Sequence, residues 1–262
     1  MLNIGYSIVN ETRKGIRLAW GYRLNAATEL VVFGLVFVGF SFFMGEGKLS
    51  PAAMSSALLG YLLWFYSNQV LAEMSHYLME EAQAGTLEQA YMSPAPSWVL
   101  VFGRALASFV ASTTKAVIMG GGLILILGLD VPLRVQGLVP FTLALVGVMG
   151  LAFIMAGLTI VFKRTTALTE LASMLLLFFN GAMLAIEKMP GWLAAFAKVL
   201  PTTLGIVQIR RVVIHEESLG ALMADGSLGW LVLHSAVWLG AGIAIFMSLE
   251  RTARVRGTLG QY

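Results

Sequence analysis

Residues 81–96 read EAQAGTLEQAYMSPAP, a short polar island in a very apolar chain. With Glu80 just ahead of it, the neighbourhood carries the acids Glu80, Glu81 and Glu88 and no Lys or Arg. A long apolar stretch runs into the island and another runs out. Thr86 and Gln89 have the T-x-x-Q spacing of a capping box, which predicts a short helix starting at Leu87. Gly85 permits the sharp turn before it. Pro94 and Pro96 end it, and Ser97 caps the next helix. The expected order is helix, turn, short helix, turn, helix, with the short helix pushed out of a membrane. An ordinary connecting loop would show the same spacing.

Composition says why a membrane is involved. Of 262 residues, 58% are hydrophobic and 12% are charged, with a mean hydropathy of +0.82. A soluble domain carries about 25% charged residues. This chain cannot cover a water-facing surface, so it reads as an all-α integral membrane protein. The length suits one compact bundle and leaves no room for an ATP-hydrolysing domain. No G-x-x-x-x-G-K-[ST] loop occurs; Gly120, Gly121 and Gly122 are followed by Leu-Ile-Leu and cradle no phosphate. No cysteine is present, which excludes disulfides and thiolate metal sites. His76, His215 and His234 lie far apart, so no metal site is expected. The net charge of +3 is explained by membrane flanks, and no nucleic-acid patch appears. No early apolar core follows the first residues, so no cleavable signal peptide is expected.

In chain order, residues 1–23 alternate apolar and basic. Ile8, Thr12, Ile16, Ala19 and Trp20 fall near one helical face, with Arg13, Lys14 and Arg17 largely away from it, which predicts an amphipathic helix on the inner membrane surface. Six apolar spans follow at 24–44, 54–71, 98–127, 138–162, 166–186 and 228–249, each near the roughly 20 residues a bilayer requires. The second is expected to continue as a helix through Ala82. Residues 187–227 hold two apolar pieces, 190–196 and 204–214, separated by Pro201. They are too apolar for solvent and too short to span, so they read as re-entrant or interfacial helices. The expectation is a single transmembrane domain over 1–262: interfacial helix 1–23, six-span bundle 24–249 and cytosolic tail 250–262.

Lys and Arg at the span ends set orientation. An inner set of Arg13, Lys14, Arg17, Arg23, Arg104, Lys163, Arg164, Arg251, Arg254 and Arg256 outweighs an outer set of Lys48, Arg134, Lys188, Lys198, Arg210 and Arg211. Both termini are therefore expected in the cytosol, and the acidic island with them. A cytosolic loop with excess acid suits a protein partner better than a lipid surface.

These residues resemble a known family. Glu81…Gly85-Thr86-Leu87-Glu88-Gln89…Ser93-Pro94, followed by Gly103-Arg104, is similar to the cytosolic loop of type-2 ATP-binding-cassette (ABC) exporter permeases. Asn180-Gly181…Met189-Pro190-Gly191-Trp192-Leu193…Leu200-Pro201-Thr202-Thr203…Arg210 resembles that family's stretch from the fifth span through the outer re-entrant helices. The resemblance covers essentially the whole chain, and its Gly-Thr-Leu-Glu-Gln form looks like the drug- and antibiotic-export branch. One departure is Asn180-Gly181 where the family often has Ser-Gly.

The resemblance implies a permease subunit that moves a lipophilic or amphipathic substrate (drug, antibiotic or lipid) out of a bacterial or archaeal cell. It implies a second permease copy or paralogue, surrounding membrane lipid, and a separate ABC ATPase that binds the ATP and Mg; the chain would have no catalytic residues and no cofactor of its own. The short helix then corresponds to the coupling helix. Glu80, Glu81 and Glu88 would meet basic residues on the ATPase, giving orientation more than affinity. Leu87, Tyr91 and Met92 would fill its groove, with Gly85, Thr86 and Gln89 shaping the turn.

Polar residues inside the spans come next. Glu29, Lys115 and Glu170 are costly in hydrocarbon, at roughly 2.5–3.5 kcal/mol for a central charge, and all fall in the inner half. A buried cluster is expected in which Lys115 meets Glu170 or Glu29; the bland alternative is snorkelling to the headgroups. Tyr66, Asn68 and Gln69 on span two, with Phe179 and Asn180 on span five, are candidates to line a path, or merely hydrogen bond between helices. Pro190, Trp192, Pro201 and Arg210 are candidates for an outer gate, or for a lid that seals the bundle. Ala236, Gly240 and Ala244 form a small-residue ridge on span six, and Gly147 and Gly150 permit close approach on span four. The alternative function is an ion-coupled secondary transporter using Glu29, Lys115 and Glu170 as a relay.

Overall fold

The computed structural model describes residues 9, 13, 21, 23–44, 50–83, 97–132, 134–163, 165–181, 186 and 189–255. Among these the chain is helical throughout, with no strand: α1 (Arg23–Met44), α2 (Pro51–Gln83), α3 (Ser97–Leu127), a 3₁₀ turn (Val135–Gly137), α4 (Leu138–Phe162), α5 (Thr166–Phe179), α6 (Gly191–Val199), α7 (Thr203–Val213), α8 (Leu219–Ala224) and α9 (Ser227–Val255). It is an all-α membrane protein. Helices α1, α3, α4 and α9 are long and apolar enough to cross a bilayer, and the pair α6–α7, bent by 92°, makes a fifth if counted as one broken span.

α2 is the axis of the bundle. It packs against α1, α3, α4, α5 and α7. Tyr61, Leu58, Leu63, Phe65 and Leu71 on it are fully buried. Surrounded on several sides, it carries Ser67 and Gln69 in buried positions and is the long helix too polar to count as a span by apolarity. Around its first half an aromatic cluster forms, Phe33, Phe37, Tyr61, Trp64 and Phe65, with edge-on and tilted rings. The Tyr61 hydroxyl donates to the Phe33 carbonyl at 2.8 Å, fixing α1 to α2.

The expected fifth span, 166–186, is a helix only to Phe179. Gly181 takes φ +84° just after it, a left-handed conformation open to glycine that an α-helix does not continue through. Its 14 residues measure about 21 Å, short of the roughly 30 Å hydrocarbon core. The last helix runs to Val255, so the expected tail from 250 begins as helix. There Glu250 is buried and accepts from Arg254, Nε at 2.9 Å and Nη2 at 2.5 Å. The small-residue ridge of Ala236, Gly240 and Ala244 is exposed. The contact of α9 with α4 is made through Gly242 instead, where an added Cβ would lie 2.1 Å from the Gly150 carbonyl oxygen. The helix at 1–23 lies outside the described residues, apart from isolated positions.

Candidate functional site

Three helices bring one charged cluster together. Lys115 Nζ on α3 donates to Glu29 Oε2 on α1 at 2.9 Å and to Gln69 Oε1 on α2 at 3.0 Å. Gln69 Nε2 donates in turn to the other Glu29 oxygen. The ring is closed: each carboxylate oxygen has a donor, and the amide uses both its ends. Lys115 and Glu29 keep 18% and 25% of their side-chain surface exposed. Pairing offsets the cost of placing charge in hydrocarbon, and the bridging amide satisfies what the ion pair leaves over.

Of the two partners expected for Lys115, the structure selects Glu29. Glu170 is not buried. On α5 the period of 3.6 turns Thr169, Ser173, Leu176 and Leu177 inward, while Glu170 stands on the exposed side. It lines a recess of about 80 Å³ with Asn68, Ser75, His76, Thr159 and Thr169. No relay links Glu29, Lys115 and Glu170 among the described residues.

A polar seam joins α2 to α5. Trp64 Nε1 donates to the Ser173 carbonyl at 2.8 Å, Ser173 Oγ donates to Asn68 Oδ1 at 2.6 Å, and the hydroxyls of Ser75 and Thr169 lie 2.9 Å apart. Successive residues on a helix point about 100° apart, and this separates the residues expected on a path. Asn68 faces the seam and Gln69 faces Lys115. Tyr66 packs edge-on to Phe141 and lines an apolar cavity elsewhere. Phe179 meets the Phe196 ring at 5.7 Å, and Asn180 is fully buried. Among the described residues, Asn68 lines the recess beside Thr169 and Tyr66 lines the apolar cavity, so those two do not share one.

At the opposite end of the bundle, Arg210 reaches the Ser56 carbonyl with Nε and Nη2 at 3.4 Å each, joining α7 to the first turns of α2. Pro201 is buried at the α6–α7 bend, against Gly147 of α4. Pro190 and Trp192 are exposed at the start of α6. Next to Arg210, Arg211 gathers the loop after α7: it bonds Glu217 at 2.5 Å, Asp225 at 2.6 Å and Ser227 Oγ at 3.0 Å. Hydrogen bonds from Ser227, then from Arg211, hold the Asp225 carboxyl down at about 2. The Arg211 hydrogen bond likewise lowers Glu217. Both stay charged near neutrality.

Of the expected coupling residues, Glu80 is exposed near the end of α2 and Glu81 follows it on the same helix. Gly85, Thr86, Leu87, Glu88, Gln89, Tyr91 and Met92 lie outside the described residues. Sequence reasoning missed Trp64, Ser173 and Glu250. Ser173 sits in an apolar run with no motif around it. Glu250 carried a usable signal, an acid four residues before Arg254 on one helix.

The family model described as ABC-2 type transporter matches residues 12–214. No curated protein matches the chain.

Proposed function

The chain belongs to the ABC-2 type transporter family, and from that premise we propose that it is the permease half of an ATP-driven exporter. In this reading two such permeases, identical or paralogous, pair in a bacterial or archaeal cell membrane with both termini in the cytosol. Each docks a separate ATPase that binds ATP and Mg. The short α6–α7 pair then lies on the outer side, and six crossings require α2 and the short α5 to span as well. The apolar interior suits a lipophilic or amphipathic cargo such as a drug, antibiotic or lipid.

One observation carries the reading. α2 has 33 residues and α3 has 31, so they measure about 50 and 46 Å against a hydrocarbon core of roughly 30 Å. The two helices pack together and both overshoot the membrane. In this reading the helix ends at Gln83 and Ser97 stand beyond the lipid as a pair of stiff rods, and the ATPase docks on the stretch between them in sequence, which includes Glu88. That is what a lever between an ATPase and a membrane bundle requires, and no hydrolytic motif is needed in this chain.

The test is capture of the tagged chain from its native membrane in mild detergent. A nucleotide-binding subunit is expected with the wild type, and about tenfold less of it with Leu87→Asp, which removes an apolar anchor, or with Glu88→Arg, which sets a like charge against the ATPase's basic residues. Absence of any ATPase, together with transport that collapses with the proton gradient while ATP is held constant, would overturn the proposal.

A further inference from the structure

Away from the 84–96 connection, α2, α3, α4, α7 and the 3₁₀ turn enclose a cavity of about 500 Å³. That is within the range of roughly 300–1,000 Å³ typical of small-molecule sites. Its lining is apolar except for Tyr66, Thr113 and Arg134, and Arg134 is its one charged member among the described residues. Val117, Val135 and Leu138 line it and are themselves exposed, so it opens on the flank of the bundle, where a membrane protein meets acyl chains. Leu59 and Gly121 stand about 36 Å along their helices from the 84–96 connection. The cavity therefore lies toward the far membrane face, with Arg134 at headgroup level.

We propose that this cavity binds one phospholipid, with an acyl chain inside and the phosphate on the Arg134 guanidinium. The chemistry matches at both ends. The apolar wall offers nothing to a polar cargo, and a guanidinium suits a phosphate oxygen pair. Arg134 now meets Glu216 at 2.6 Å, but Glu216 is 62% exposed and sits at φ +60°. An exposed pair of this kind contributes little, so a phosphate can take its place. The space is not loose packing. The neighbouring walls are tight: an added Cβ at Gly137 would lie 2.7 Å from Val213, and one at Gly120 3.1 Å from Leu62. Gly121, which faces the cavity, has nothing within 4 Å. This site needs only a membrane around the chain, so it stands apart from the coupling proposal.

Gly121 supplies the test. Gly121→Phe projects a ring into the cavity from a position whose added Cβ meets nothing within 4 Å, and replacing a mid-helix glycine does not penalise the helix. Gly122 also has nothing within 4 Å but does not line the cavity, so Gly122→Phe is the matched control. Delipidated full-length protein is titrated with dioleoyl phosphatidylglycerol, or with dioleoylglycerol, which has the same chains and no phosphate, and bound lipid is counted by native mass spectrometry. Wild type and Gly122→Phe are expected to hold one phosphatidylglycerol that Gly121→Phe lacks, with its melting temperature at or above that of wild type. Dioleoylglycerol is expected to bind about tenfold more weakly, and Arg134→Ala to lower phosphatidylglycerol to that level. The proposal is overturned if Gly121→Phe keeps the lipid or if the two lipids bind equally. It is also overturned if Gly121→Phe dissociates paired copies while lipid stays bound, which would make this face an interface between chains.

Discussion

The α4–α9 contact and the α2–α5 contact hold the same bundle together by opposite means. α4 meets α9 backbone to backbone: an added Cβ at Gly150 would lie 2.1 Å from the Trp238 carbonyl oxygen, and one at Gly157 3.2 Å from the Phe246 Cα. α2 meets α5 through side chains that reach across, Trp64, Asn68 and Ser75 to Ser173 and Thr169. Lipid tails are as apolar as leucine, so helices in a membrane gain little from burying apolar surface against one another. What remains is close packing, which has no second arrangement to move to, and hydrogen bonds, which can be exchanged one at a time. The glycine contact is therefore suited to a fixed body, and the polar seam to a joint that opens.

The comparison breaks first if the glycine contact turns out to be soft. Gly242→Ala places a methyl group where the Gly150 carbonyl already is, and neither partner is a flexible side-chain end. The helices must separate along their length, at a cost of about 3 kcal/mol or more. The expected outcome is loss of the monodisperse peak and a large fall in melting temperature in detergent. Gly240→Ala, two residues away with open space around it, is expected to be silent. A Gly242→Ala protein that melts with the wild type would remove the fixed body from the argument.

The charged ring tests the middle of the scale. Lys115→Met leaves the Glu29 carboxylate with Gln69 as its one described donor, where a central charge costs roughly 2.5–3.5 kcal/mol. α1 packs on α2 and α3, so the loss is expected as faster hydrogen exchange along α1 while α4 and α9 stay protected. Adding Glu29→Gln removes the stranded charge and is expected to restore most of the protection. If the double variant is as labile as the single one, the ring is not what docks α1.

Which of these contacts could be read from the residues follows from what a one-dimensional pattern carries. The positions of α1, α3, α4 and α9 were legible, because an apolar run about 20 residues long has few other uses. The bent pair around Pro201 was legible for the opposite reason, being too apolar for water and too short to cross. The stop at Gly181 was hidden, since Ala182, Met183, Leu184, Ala185 and Ile186 continue the apolar run. Azimuth was the larger loss. The depth of Lys115 could be counted from the span ends, but its choice of Glu29 over Glu170 depends on which way α5 faces. Ala236, Gly240, Gly242 and Ala244 are all small, and only the position of Gly150 on another helix decides which of them is the contact.

The smallest expected effect sharpens the joint. Ser173→Ala removes the hydroxyl that donates to Asn68 at 2.6 Å and leaves the backbone carbonyl that Trp64 uses. Interhelical hydrogen bonds in membranes contribute about 0.6 kcal/mol on average and up to about 1.7. A double-mutant cycle of Ser173→Ala with Asn68→Ala is expected to return a coupling in that range, from melting curves in one detergent. The low value is the point of the argument. Bonds each worth about RT can be exchanged singly, and the recess lined by Asn68 and Thr169 lies beside them. A coupling above about 3 kcal/mol would make this seam as fixed as the glycine contact, and the moving part of the bundle would then have to be sought at α1.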